Sequence, residues 1–137
     1  MIKPGDILGE WAFRAEAGKI REFARAVRDV HDDGAIASPT FPVVASAEFV
    51  ERLVTEILQL DRSRTLHGEQ AYEYMRPIVA GDELRCQARL VSDETKQGKR
   101  GGAMRVLTVA IDFTSVADGG LVCRETMTTI ETSADAP

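Results

Sequence analysis

Histidine is scarce in this 137-residue chain, so its two occurrences, His31 and His67, are the natural places to look for proton transfer. His31 sits in Arg28-Asp29-Val30-His31-Asp32-Asp33-Gly34, beside three carboxylates. Such neighbours favour the charged imidazole and can hold it as a proton donor or acceptor. The plainer alternative is a solvated acidic loop. His67 lies in Thr65-Leu66-His67-Gly68-Glu69-Gln70, just ahead of an expected strand, where an edge residue making one hydrogen bond is equally natural. No other constellation competes. The chain has no GxSxG elbow, Gly-rich phosphate loop, HExxH, or spacing that pairs a cysteine with a histidine. Cys86 and Cys123 read as small buried thiols on strands, and no metal site is expected. Lys96, Lys99, Arg100 and Arg105 form a basic turn, either a solvated hairpin or a dock for an acidic carrier protein or a coenzyme A phosphate.

These residues need elements to position them. From Lys19 to Arg28, Ile20, Phe23, Ala24 and Val27 recur at the spacing of one helix face, with Gly18 as the expected start. A longer helix is expected over Val44 to Leu60, entered through Pro42, with Ala47, Val50, Leu53, Val54, Ile57 and Leu58 on one stripe. Phe49 and Leu60 widen that stripe, so the helix should be covered on most sides. Strands are expected at Gly9 to Ala15, Glu69 to Met75, Asp82 to Val91, Met104 to Val116 and Leu121 to Ile130. Turn signals at Ala80-Gly81-Asp82, residues 98–102 and Asp118-Gly119-Gly120 separate the later ones. One long buried helix and one curved antiparallel sheet satisfy each other when the sheet wraps the helix. The pattern predicts an α+β hot-dog fold, a long central helix wrapped by a five-stranded antiparallel sheet. It is expected as one unit over residues 1–131, with 132–137 as a flexible tail.

Bulk composition narrows the partners. A net charge of −5 gives no support for nucleic-acid binding, and no apolar run nears the roughly 20 residues that span a bilayer. With no basic-then-apolar start, the expectation is a reduced, cytoplasmic, soluble protein.

Four segments in order carry a resemblance over nearly the whole chain: Gly18 to Val27, Ser38-Pro39-Thr40-Phe41-Pro42, Leu66 to Gln70, and Arg76-Pro77-Ile78-Val79-Ala80-Gly81-Asp82-Glu83-Leu84. Together they resemble MaoC-like, N-terminal-type hot-dog dehydratase domains, including subunits of (3R)-hydroxyacyl carrier-protein dehydratases. The resemblance implies an acyl-CoA or acyl carrier protein thioester as substrate, in fatty-acid or polyketide metabolism, and no cofactor. It also implies a homodimer, or a heterodimer with another hot-dog subunit. Asp29 and His31 are then the catalytic candidates, with Pro39, Thr40, Phe41 and His67 as substrate-binding residues. Loss of water across C2–C3 needs a base at the α-carbon and an acid at the departing hydroxyl, with the carbonyl polarised by backbone N–H groups.

The chain departs from that family in the loop from Asp29 to Pro39, which is also shorter than usual. Active members carry Asp and His five positions apart, and the fifth position after Asp29 is Gly34. Three readings stay open: a dehydratase or hydratase with a displaced Asp29–His31 pair, a non-catalytic subunit that pairs with a catalytic hot-dog partner, and a thioesterase or tailoring enzyme using Glu48.

Overall fold

In the computed structural model, which describes residues 1–99 and 101–134, the first strand is β1 (Ile7–Arg14), followed by helix α1 (Ala17–Ala26). A loop leads to α2 (Pro42–Arg52), which runs straight into a π-helical turn, Leu53–Ile57. After a short 3₁₀ turn at Arg62–Arg64 come β2 (Thr65–Tyr74), β3 (Glu83–Gln97), β4 (Ala103–Ser115) and β5 (Leu121–Glu131). The strands form one sheet in the order β1-β3-β4-β5-β2, antiparallel at every pairing. This is the expected α+β hot-dog arrangement.

Alternation builds the sheet's two faces. Leu84, Cys86, Ala88 and Leu90 on β3 are buried, and so are Leu107, Val109, Ile111 and Phe113 on β4. Between them stand polar residues of the outer face, where Asp112 is clamped by Arg124 at 2.6 Å and Arg89 at 3.1 Å. Against the inner face lie Ala45 and Phe49 of α2 and Leu53 and Val54 of the π turn. Trp11 of β1 stacks on Phe49 at 4.5 Å between ring centroids and donates its indole N–H to the Ala45 carbonyl at 2.9 Å. Gly9 permits this approach, because a Cβ there would meet the Phe49 ring at 2.6 Å.

The central helix differs from its expected form. It starts at Pro42 rather than Val44, and regular α-geometry ends at Arg52. The Leu58 amide reaches back five residues to the Leu53 carbonyl at 2.8 Å, widening the turn. That turn keeps Leu53, Val54 and Leu58 buried, and Gln59 then takes a left-handed conformation (φ 51) that ends the element. Ala47, expected on the buried stripe, is exposed, and Ser46 takes the inward place. The first helix also begins two residues earlier than expected, with Gly18 inside its first turn.

β2 starts four residues before the expected Glu69, so His67 belongs to the strand. Of the expected tail, Thr132 donates its amide to the Arg64 carbonyl at 2.9 Å, while 135–137 lie outside the described residues.

Leu53 is 1% exposed at the junction of α2 and its π turn. Leu53→Ala is expected to lower unfolding free energy by roughly 2–5 kcal/mol in urea titrations. An unchanged midpoint would contradict the placement of this helix inside the sheet.

Candidate functional site

The loop between α1 and α2 is closed by one carboxylate. Val27 ends α1, and Arg28 adopts φ 59, which turns the chain so that the Asp29 amide bonds back to the Ala24 carbonyl at 2.8 Å. Asp29 Oδ1 then accepts the His31 amide at 2.9 Å, and Oδ2 accepts the Ser38 hydroxyl at 2.7 Å. These two donors, His31 first, hold the Asp29 carboxyl below its ordinary value. Asp29 is therefore an ionised acceptor already engaged by its own loop. His31 meets Asp29 through its backbone, and the His31 residue is exposed.

Gly34 decides the rest of this loop. It is buried, with φ +84, and a Cβ built on it would come within 2.8 Å of the Ala17 carbonyl oxygen. No side chain fits there without moving α1. This fifth position after Asp29 therefore favours glycine twice over, by its positive φ and by its close approach to α1. Farther on, the loop is strapped to the Pro77–Gly81 turn by the Ala37 amide on the Ile78 carbonyl (2.8 Å) and the Ala80 amide on the Ala35 carbonyl (2.9 Å). Asp82 stiffens that turn by taking Arg76 Nη1 at 2.7 Å and the Val79 amide at 2.9 Å.

Strapping leaves an open groove of about 490 Å³ lined by Ile36, Ala37, Pro39, Tyr74, Met75 and Arg76. Its lining flanks Ser38, so groove and carboxylate share one loop. The Tyr74 hydroxyl donates to the Pro39 carbonyl at 2.6 Å, and burial pushes its pKa up, so it stays a donor. Of the expected substrate-binding residues, Pro39 lines this groove and Thr40 is exposed at the entry to α2. Phe41 is fully buried, packed edge-on against Phe23 at 5.7 Å, where it supports the wall. His67 lies at the other end of β2, in a second groove of about 280 Å³ with Val50, Val54 and Met127.

Sequence reading missed a buried carboxyl. Glu125 is 1% exposed on the inner face of β5, opposite Tyr72. Its Oε1 accepts from the Ser46 hydroxyl at 3.1 Å and from the Gln70 amide nitrogen, which also donates to the Tyr72 hydroxyl at 3.0 Å. Oε2 has no partner among the described residues. Burial is the largest influence on this group and raises its pKa. The alternation Cys123, Glu125, Met127, Thr129 was the available signal, since it sets a glutamate among inward positions. Burial likewise pushes the Cys86 thiol up to about 12 and Cys123 to about 11, so both stay protonated. Glu48 is exposed beside a surface groove on the β1 side of α2.

The basic turn divides. Arg105 is held bidentately by Asp93 at 3.0 and 2.7 Å, and Lys96 faces Glu94 at 3.6 Å, while Arg100 lies outside the described residues. No helix among the described residues is long and apolar enough to cross a membrane.

Fold and loop together define a MaoC-like hot-dog domain. Its structure superposes on a MaoC-like dehydratase with a TM-score of 0.76 and 28% identity, covering 96% of this chain and 43% of that one. Superposition on the C-terminally truncated HadBC (3R-hydroxyacyl-ACP dehydratase) complex from Mycobacterium tuberculosis gives a TM-score of 0.73 at 22% identity, over 95% of this chain and 98% of that one. Residues 4–124 match the FAS1-like, dehydratase domain region, and the chain belongs to that family. A UPF0336 protein of Thermobifida fusca (strain YX) is 32% identical over 133 residues, which span 87% of this chain and 83% of that protein. One from Clavibacter michiganensis subsp. michiganensis (strain NCPPB 382) is 48% identical over 80 residues, 48% of this chain and 54% of its own length.

Two stability tests follow from the loop and the buried carboxyl. Gly34→Ala is expected to cost about 1–3 kcal/mol in urea unfolding, the scale of a side chain forced into a left-handed, crowded position. Equal midpoints would remove the steric argument. For Glu125, the unfolded chain releases its proton near the ordinary value of 4.5 and the folded chain only at higher pH. The stability this group contributes is therefore present below 4.5 and declines as pH rises from there to the folded value. Glu125→Gln should flatten that decline in a series of urea midpoints against pH, and identical slopes would show that folding does not raise this pKa.

Proposed function

We propose that this chain is a hot-dog subunit that binds acyl-CoA or acyl carrier protein thioesters for a hydratase or dehydratase, and that its acid–base pair comes from a second hot-dog subunit. Gly34 carries this reading. Hydration across C2–C3 needs a base and an acid on the same substrate. Here the carboxylate at the expected place is engaged by His31 and Ser38, and the fifth position after it is a glycine whose positive φ and contact with Ala17 disfavour any side chain. Membership in a dehydratase-region family supports the class of reaction, and the HadBC fold neighbour is itself a complex.

The groove beside Pro39 and Tyr74 supports thioester binding. It is mainly apolar, opens near the entry to α2, and is held by backbone straps that leave little to reorganise. Assembly is supported by β2, whose outer edge ends the sheet and whose Leu66 is 56% exposed. An unpaired antiparallel edge with apolar side chains is a template for another strand.

The purified chain is expected to bind crotonyl-CoA in calorimetry without loss of enone absorbance, and His31→Ala should behave the same. Turnover by the chain alone, abolished in His31→Ala, would establish Asp29 and His31 as a displaced pair and overturn the subunit reading.

A further inference from the structure

Two hydrogen bonds bound the groove beside Pro39. At one end the Ala37 amide meets the Ile78 carbonyl at 2.8 Å, and at the other the Tyr74 hydroxyl meets the Pro39 carbonyl at 2.6 Å. Between these bonds one segment has only Ser38, while the other has Met75, Arg76 and Pro77. The longer segment must bow away, and the opening it leaves is the groove, lined by Ile36, Ala37 and Pro39 on one side and Tyr74 to Pro77 on the other. Arg76, the charged residue of that lining, is turned to Asp82 at 2.7 and 3.2 Å and to the Pro77 carbonyl at 2.9 Å. From Tyr74 to Pro77 the chain covers at most about 11 Å. That length holds a thioester and roughly four to six carbons, at C–C bonds of about 1.5 Å in zigzag.

Beyond Tyr74 the surroundings become polar. The next inward residues along β2 are Tyr72 and Gln70. Gln70 donates to the Tyr72 hydroxyl at 3.0 Å and to the buried Glu125, which also takes the Ser46 hydroxyl at 3.1 Å. An alkyl chain carried past Tyr74 along β2 would break these bonds or leave them without solvent. Either cost matches or exceeds what each further methylene gains by leaving water. At the entry to α2 the fully buried Phe41 already fills the core.

We propose that Tyr74, pinned to Pro39, sets acyl length in this groove and makes its ligand a short acyl thioester of roughly four to six carbons. This rests on the thioester binding proposed above, and a series of chain lengths tests the two separately.

Calorimetry of the full chain with saturated thioesters from butyryl-CoA to decanoyl-CoA reads the limit directly. Affinity is expected to rise about fourfold per methylene from butyryl to hexanoyl, the increment for one CH2 leaving water, and then to level off. A rise continuing at that rate to decanoyl-CoA would overturn the length limit and leave thioester binding intact. Tyr74→Ala, which frees the volume of a phenol opposite Cys123, should carry the rise on to octanoyl-CoA. The ratio of octanoyl to hexanoyl affinity should then grow about fifteenfold, two such increments. A merely loosened fold weakens every length alike, so an unchanged ratio would overturn the assignment to Tyr74. Binding at no length would overturn the thioester reading, and the length limit with it.

Discussion

The burial of α2 against a sheet that curves around it is the constraint from which the remaining features follow. A helix covered on several sides demands apolar residues around most of its circumference and close backbone approach where the sheet bends nearest. Phe49 answers both demands, lying against Trp11 with Gly9 beneath it. At the other end, regular α-helix gives way to a π turn that holds Leu53 and Val54, with Leu58 buried just after it. There the Leu58 amide reaches back to the Leu53 carbonyl and widens the turn by one residue. The chain then reverses through Gln59 and enters β2.

A polar line crosses this apolar interior. Ser46, Glu125, Gln70, Tyr72 and His67 are linked from the buried face of α2 to the unpaired edge of the sheet. In such surroundings a carboxyl is held neutral more readily than ionised, and each hydrogen bond it makes is less screened than in water. That arrangement restricts the rotamers of Gln70 and holds the His67 ring against its amide at 2.8 Å.

The loop between the helices follows a different logic. It is short, its carboxylate ties both of its ends, and a left-handed glycine lets it press on the first turn of α1. The family's scaffold is kept while this loop takes a form of its own, in keeping with the rule that function lives in sites carried by folds.

Local pattern was sufficient for the architecture. Period-two alternation in β3 and β4, the apolar stripe after Pro42 and the glycine turns made the sheet and its helix legible, because each depends on neighbours a few residues apart. The sequence also marked His31 and His67 by residue type, and Asp29 and Pro39 through the family resemblance. It did not reveal that Asp29 is engaged by Ser38, nine residues on, or that Gly34 meets Ala17. Nor did it join Glu125 to Ser46 across 79 residues. Those contacts depend on how the elements pack, and a glutamate on an alternating strand faces either solvent or core until the register with β2 and the rotation of α2 are set. Tertiary structure alone decided which polar groups would meet, because their partners are distant along the chain and adjacent only once the sheet has closed around the helix.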